Sequence, residues 1–207
     1  MTDQIQAIRA DLAFMKSLAA DEGPIPGIVG AHFLAAGLIY GPPAILAWAI
    51  MRGFVDLPLG LAGQMGLWPT VVYLPVMALL ILRTPRPKPG AATGRAMVVG
   101  WSGVGLTTGA MLAVIFIAGA RLHEPRMWQV WTSICFTLWG AAWWVVAMLR
   151  RNKGWLVVAL GSFVNAVVNA CLIATPEEIL GAAVGILLWL AGPGLWIMIR
   201  DRSRAPA

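Results

Sequence analysis

Charged side chains are scarce: Asp, Glu, Lys and Arg make up 12% of the 207 residues, about half of the roughly 25% found in ordinary soluble domains. A surface built to face water is thereby excluded for most of the chain. The charges that do occur avoid the long apolar stretches, none of which carries an acidic or basic residue well inside it. Proton relays and ion-coupled carriers depend on such groups, so an ion-driven pump is disfavoured. Only two cysteines are present, Cys135 and Cys171, both within apolar stretches, where packing as small apolar side chains is the expected role and no disulfide is predicted. Soluble sequence is equally short: the longest piece outside the apolar stretches is the N-terminal 27 residues. That is below the roughly 50 residues of a minimal domain, so no soluble catalytic domain is expected.

What is abundant is hydrophobicity, at 59% of the residues. Six apolar stretches of 19 to 25 residues run over Ile28–Met51, Leu59–Leu82, Ala96–Ala120, Trp128–Leu149, Trp155–Ile173 and Ile179–Ile199. About 20 helical residues cross a hydrocarbon core of ~30 Å, and these stretches are too long for barrel strands. The expected fold is all-α, a polytopic bundle of six transmembrane helices. Basic residues fix its threading. Arg9, Lys16, Arg83, Arg86, Lys88, Arg95, Arg150, Arg151, Lys153, Arg200, Arg202 and Arg204, 12 of 15, share one side, while only Arg52, Arg121 and Arg126 occupy the other. Basic excess marks cytoplasmic loops, which puts both termini in the cytoplasm. The net charge of +6 follows from topology and contact with anionic lipid headgroups, and nucleic acid is not an expected partner. The first stretch is too long for a signal-peptide core, so no cleaved leader is expected. Arginine outnumbers lysine 12 to 3 beside abundant Ala and Gly, a composition that suggests a bacterial-type inner membrane in a high-GC organism.

Three regions follow: a cytoplasmic helix and linker over 1–27, the membrane domain over 28–200, and a cytoplasmic tail over 201–207. Ile5, Ile8, Leu12, Met15 and Ala19 recur three and four apart, predicting an amphipathic helix over residues 2–22 that Gly23 and Pro24 end. It can lie against its own bundle, rest in the headgroup layer, or dock a partner chain. The connection Arg83–Arg95, rich in Pro and Gly, is expected to be non-helical. The pairs Gly37/Gly41, Gly105/Gly109 and Gly181/Gly185 lie one turn apart, the spacing that lets a neighbouring helix approach closely. The run from Gly103 to Gly109 has neither the spacing nor the strand of a phosphate loop. Of the tryptophans, Trp48, Trp68, Trp128 and Trp131 fall toward the outside and Trp101, Trp143, Trp144, Trp155 and Trp196 toward the cytoplasm, as expected of an interface belt.

Chemistry-bearing residues are few. Thr175, Pro176 and Glu178 read as a capping box opening the sixth span. His32 lies near the cytoplasmic end of span one and His123 in an outer loop. With a helical rise of about 1.5 Å per residue, most of the bilayer separates them, so they cannot share a haem. His32 is expected to hydrogen-bond between helices, and one imidazole with one carboxylate at His123-Glu124 makes no metal site. No cofactor and no metal are expected. Ser162, Asn165 and Asn169 form a polar stripe on span five, suited to interhelical hydrogen bonds or to lining a path. Pro42 and Pro43 in span one and Gly192-Pro193-Gly194 in span six are expected helix breaks.

The favoured function is a non-enzymatic integral membrane protein acting through partner or lipid contacts, with residues 2–22 as its docking element. The alternative is a small permease or channel, working alone or as a homo-oligomer such as a dimer, in which His32, Tyr40, Ser162, Asn165 and Asn169 line a path. A membrane-embedded enzyme ranks third, since Ser102, Ser133 and Ser162 have no histidine assignable to them.

Overall fold

A computed structural model describes residues 27–65, 67–83 and 92–202. All its elements are helical: α1 (Gly27–Met51), α2 (Leu59–Gln64), α3 (Leu67–Arg83), α4 (Ala92–Leu122), a 3-10 turn (Pro125–Val130), α5 (Trp131–Arg150), α6 (Lys153–Cys171), α7 (Glu177–Ile186), a π turn (Leu187–Ala191) and α8 (Gly192–Arg202). No strand occurs among the described residues. Six segments are long and apolar enough to cross a membrane: Gly27–Met51, Leu59–Arg83, Gly100–Leu122, Met127–Arg150, Lys153–Cys171 and Glu177–Arg200. The fold is therefore an all-α bundle with six membrane-spanning helices. The amphipathic helix expected over 2–22, most of the 83–95 connection and the end of the tail lie outside the described residues.

Local chemistry explains the helix ends. Gly53, at φ 72, follows α1 and lets its own N–H reach Ile50 O at 3.0 Å while Phe54 N reaches Ala49 O at 2.9 Å. This is the double hydrogen bond of a glycine-terminated helix, satisfying two carbonyls that the helix itself leaves unpaired. Helix α5 ends on the same geometry with a different residue. Arg151 sits at φ 46, its N–H on Met148 O at 3.4 Å and Asn152 N on Ala147 O at 3.3 Å. A side chain in the left-handed region costs about 1 kcal/mol relative to glycine. Asn152 then caps α6, its Oδ1 accepting from Gly154 N at 2.7 Å, so the turn between spans four and five is short and fixed at both ends.

Several expected boundaries move. Helix α4 starts at Ala92, inside the connection expected to be non-helical; the last proline there is Pro89, and nothing after it removes a backbone donor. Span two is in two pieces, α2 and α3. The capping box does not form: Thr175 Oγ1 donates to Leu172 O at 2.8 Å, closing the preceding turn, and α7 begins without a side-chain cap. Nor does span one break, since α1 continues through Pro42 and Pro43. Membrane helices accommodate proline where neighbours hold the helix in place.

Span one is held in that way. It packs along α7, the π turn and α8, and also against α3; α5 packs on α6, α4 on α5, and α6 on α7. Spans one, four, five and six form the core. In their apolar windows 33%, 33%, 28% and 39% of residues are buried, against 6% in each of spans two and three. Between spans one and six the backbones nearly touch. A Cβ on Gly194 would lie 2.5 Å from Leu34 N and 2.7 Å from Gly30 O, and one on Gly37 would strike Ala191. Lipid tails are as apolar as leucine, so such close packing, rather than burial from water, supplies the attraction between spans.

Candidate functional site

Two constellations run through this core. The first is the seam between spans five and six. Ser162, Asn165 and Asn169 share one face of α6; Ser162 and Asn169 are fully buried and Asn165 half-buried. Ser162 Oγ donates to Val158 O at 2.8 Å and Asn169 Nδ2 to Asn165 O at 2.9 Å, both within α6. Only Asn165 reaches across, its Nδ2 donating to Gly181 O at 3.4 Å. The glycines of α7 admit these side chains: a Cβ on Gly185 would collide with the Asn165 amide and come within 2.5 Å of Phe136 Cζ, and one on Gly181 would lie 3.0 Å from Asn169 Oδ1. That Oδ1 has no hydrogen-bond partner. The stripe is close-packed rather than lining a space, and interhelical amide contacts of this kind contribute about 0.6 kcal/mol each.

The second constellation is aromatic and joins five spans. Phe33 of α1 meets Trp101 of α4 edge-on at 4.5 Å between centroids and Trp143 of α5 at 4.9 Å. Trp101 meets Trp143 at 4.9 Å, Trp143 stacks on Trp155 of α6 at 5.0 Å with ring planes 10° apart, and Trp155 meets Trp196 of α8 at 4.8 Å. Each offset or edge-on pair adds about 1 kcal/mol beyond the contact itself. Trp143 is wholly buried and Trp155 nearly so, whereas Trp144 is 42% exposed. Trp143 and Trp155 are therefore core residues rather than members of the expected interface belt, while Trp144 stands outside the core.

The same cluster explains the irregularity of span six. Pro193 has no N–H to offer the carbonyl four residues back, that of Trp189. Trp143 Nε1 donates to Trp189 O at 3.2 Å. The wide turn over Leu187–Ala191 precedes Gly192, whose N–H reaches Leu187 O, five residues back. The break expected at Gly192-Pro193-Gly194 is thus a π turn just ahead of it, a form in which membrane helices absorb proline. The ring of Trp189 fills the place a Cβ would take on Gly161 of span five.

The remaining candidates do not meet. His32 bonds within its own helix, Nδ1 to Ile28 O at 2.7 Å, rather than between helices. Tyr40 faces span two, its hydroxyl donating to Thr70 Oγ1 at 3.1 Å and its ring 5.5 Å from that of Tyr73. Gly41 packs on Leu187, while a Cβ on Gly105 or Gly109 would meet no atom of the described residues within 4 Å. Cys135 is a buried free thiol and Cys171 an exposed one. At the face opposite the Arg151 turn, Arg52 pairs with Glu177 and ties the end of span one to the start of span six. Among the described residues no three His, Cys, Asp or Glu side chains gather into a metal site.

Sequence reasoning missed Gly30, Gly140, Gly161 and Gly194 as packing positions. A search for glycine pairs one turn apart finds only glycines that share a face with another glycine. The contact of Gly140 is the ring of Phe163, whose Cδ1 would lie 2.8 Å from a Cβ there. The aromatic core had a partial signal: Phe136, Trp139, Gly140, Trp143 and Ala147 recur at helical spacing on α5.

Fold and contacts together define a multi-pass, all-α membrane protein with a glycine- and tryptophan-packed core. No family model, curated protein or solved structure matches the chain.

Proposed function

We propose that this is a non-enzymatic membrane protein that works through contacts made within the bilayer, to another membrane-embedded chain and to lipid, with spans two and three as the contacting elements. The observation that carries this reading is their uneven burial, 6% in each against 28% to 39% in the other four. A span with so little of its surface buried leaves its other faces to lipid or a partner, and open glycines such as Gly105 and Gly109 allow another helix to come close. The apolar stripe predicted over residues 2–22 supplies a second contact. The three separate environments of His32, Tyr40 and the span-five stripe speak against the alternative of a permease with all of them along one path.

A photo-crosslinking residue placed at Val72 of α3 or Leu106 of α4, which are 50% and 78% exposed, tests this in native membranes. The expected result is a discrete protein adduct, to a partner or to a second copy. Adducts to lipid alone at both positions would overturn the reading.

We also place both termini on the cytoplasmic side of a bacterial-type inner membrane, on the strength of 12 basic residues against 3. In a chain freed of Cys135 and Cys171, Asp56→Cys should label with a membrane-impermeant maleimide in intact cells, and Arg151→Cys only after permeabilisation. Both positions are exposed, and the reverse pattern would refute the assignment.

A further inference from the structure

Three cations lie at the neighbouring ends of spans four, five and six. Trp155, at the start of α6, lies 4.8 Å from Trp196 of α8, and the guanidinium of Arg200, one turn beyond, sits 5.4 Å over the Trp196 ring. Lys153 opens α6 two residues before Trp155, and Arg151 occupies the turn just ahead of it. The indole stack therefore brings Arg151, Lys153 and Arg200 to adjoining helix ends, and all three are exposed. Along spans four to six the sequence carries no acidic residue from 125 to 176 or from 179 to 200.

Arg151 is the most telling of the three. Its backbone has the left-handed conformation that glycine adopts at Gly53 after α1, yet the residue is arginine at φ 46. A long cationic side chain is thus held where the backbone disfavours any side chain. Its neighbours are the apolar ends of transmembrane helices: Leu149, two residues before Arg151, and Ile199, next to Arg200, are both exposed.

We propose that this end of the bundle binds the phosphate of an anionic phospholipid, held by Arg151, Lys153 and Arg200, with the acyl chains along the apolar flank that starts at Leu149 and Ile199. Lysine and arginine at headgroup depth attract anionic lipid, and indoles such as Trp196 favour the same layer. A soluble phosphate ion would meet the same cations but would gain nothing from the apolar flank. The three cations belong to spans four, five and six rather than to spans two and three, so lipid retention is read independently of a protein partner.

The test uses the full chain purified in mild detergent, with phosphatidylglycerol, phosphatidylcholine and inorganic phosphate as probes, read by native mass spectrometry. Phosphatidylglycerol should bind at least tenfold tighter than phosphatidylcholine, and the triple variant R151G/K153Q/R200Q should lose about that factor. R151G alone separates binding from folding: glycine suits the turn, so its melting temperature should hold or rise while phosphatidylglycerol retention falls severalfold. Equal retention of the two lipids, or undiminished retention in the triple variant, would overturn the proposal. Displacement of phosphatidylglycerol by millimolar inorganic phosphate would overturn the lipid as the source of the phosphate.

Discussion

Gly194→Ala should cost about 3 kcal/mol of stability, near the upper end of what overpacking does, and should lower the yield of folded protein sharply. The added methyl would lie 2.5 Å from Leu34 N and 2.7 Å from Gly30 O, and both of these are backbone atoms that no rotamer change can move. Spans one and six would have to part, loosening the contact on which span one depends for most of its packing. Gly37→Ala should act in the same direction, since its methyl would meet Ala191 Cα and N at 2.9 Å. The control lies in span three. Gly105→Ala and Gly109→Ala add methyls to open space, and alanine favours a helix over glycine by up to about 1 kcal/mol, so these variants should match or exceed the parent. Thermal unfolding in a mild detergent compares all four. Equal losses across the set would mean that the approach of spans one and six does not govern stability.

Trp143→Ala should be comparably severe, at about 3 to 5 kcal/mol, as for other large-to-small changes in a core. The side chain is wholly buried, touches the rings of Phe33, Trp101 and Trp155, and hydrogen-bonds the carbonyl of Trp189. Trp143→Phe keeps a ring but strips that carbonyl of its indole donor, and should lose about 1 to 2 kcal/mol. Its neighbour makes the decisive comparison. Trp144→Ala removes a side chain that is 42% exposed and should cost less than about 1 kcal/mol, since lipid fills the vacated place. Similar losses at positions 143 and 144 would show that the stacked indoles are not the core of the bundle.

Much of the architecture was legible because its signals are one-dimensional. A span announces itself by about 20 consecutive apolar residues, and all six expected stretches overlap the six helical spans. Ends were less legible. The prolines of 83–89 stop a helix, but the helix of span three resumes at Ala92, and Thr175 turned its hydroxyl back to Leu172 rather than forward into a cap. Proline was overread at Pro42-Pro43, where α1 continues, because the penalty for a missing donor depends on what holds the helix from outside.

The seam of spans five and six shows where the candidate residues stopped being readable. Spacing alone put Ser162, Asn165 and Asn169 on one face, and it did so correctly. Which span that face would meet, and whether it would enclose a space, depended on Gly181 and Gly185 being opposite it. His32 and Tyr40 were grouped with the stripe by chemistry, and the fold sends them elsewhere.

By itself the sequence determined the class and the number of spans, because the cost of leaving backbone or charge in hydrocarbon acts on each segment alone. The tertiary structure alone decided that spans one, four, five and six form the core and that spans two and three stand outside it. It also decided that Trp143, and not Trp144, faces inward. Adjacent residues on a helix point about 100° apart, and every span here is apolar around most of its circumference, so hydrophobicity does not say which face turns inward. The selection falls to close packing, glycine against backbone and indole against indole, and those partners lie far apart along the chain.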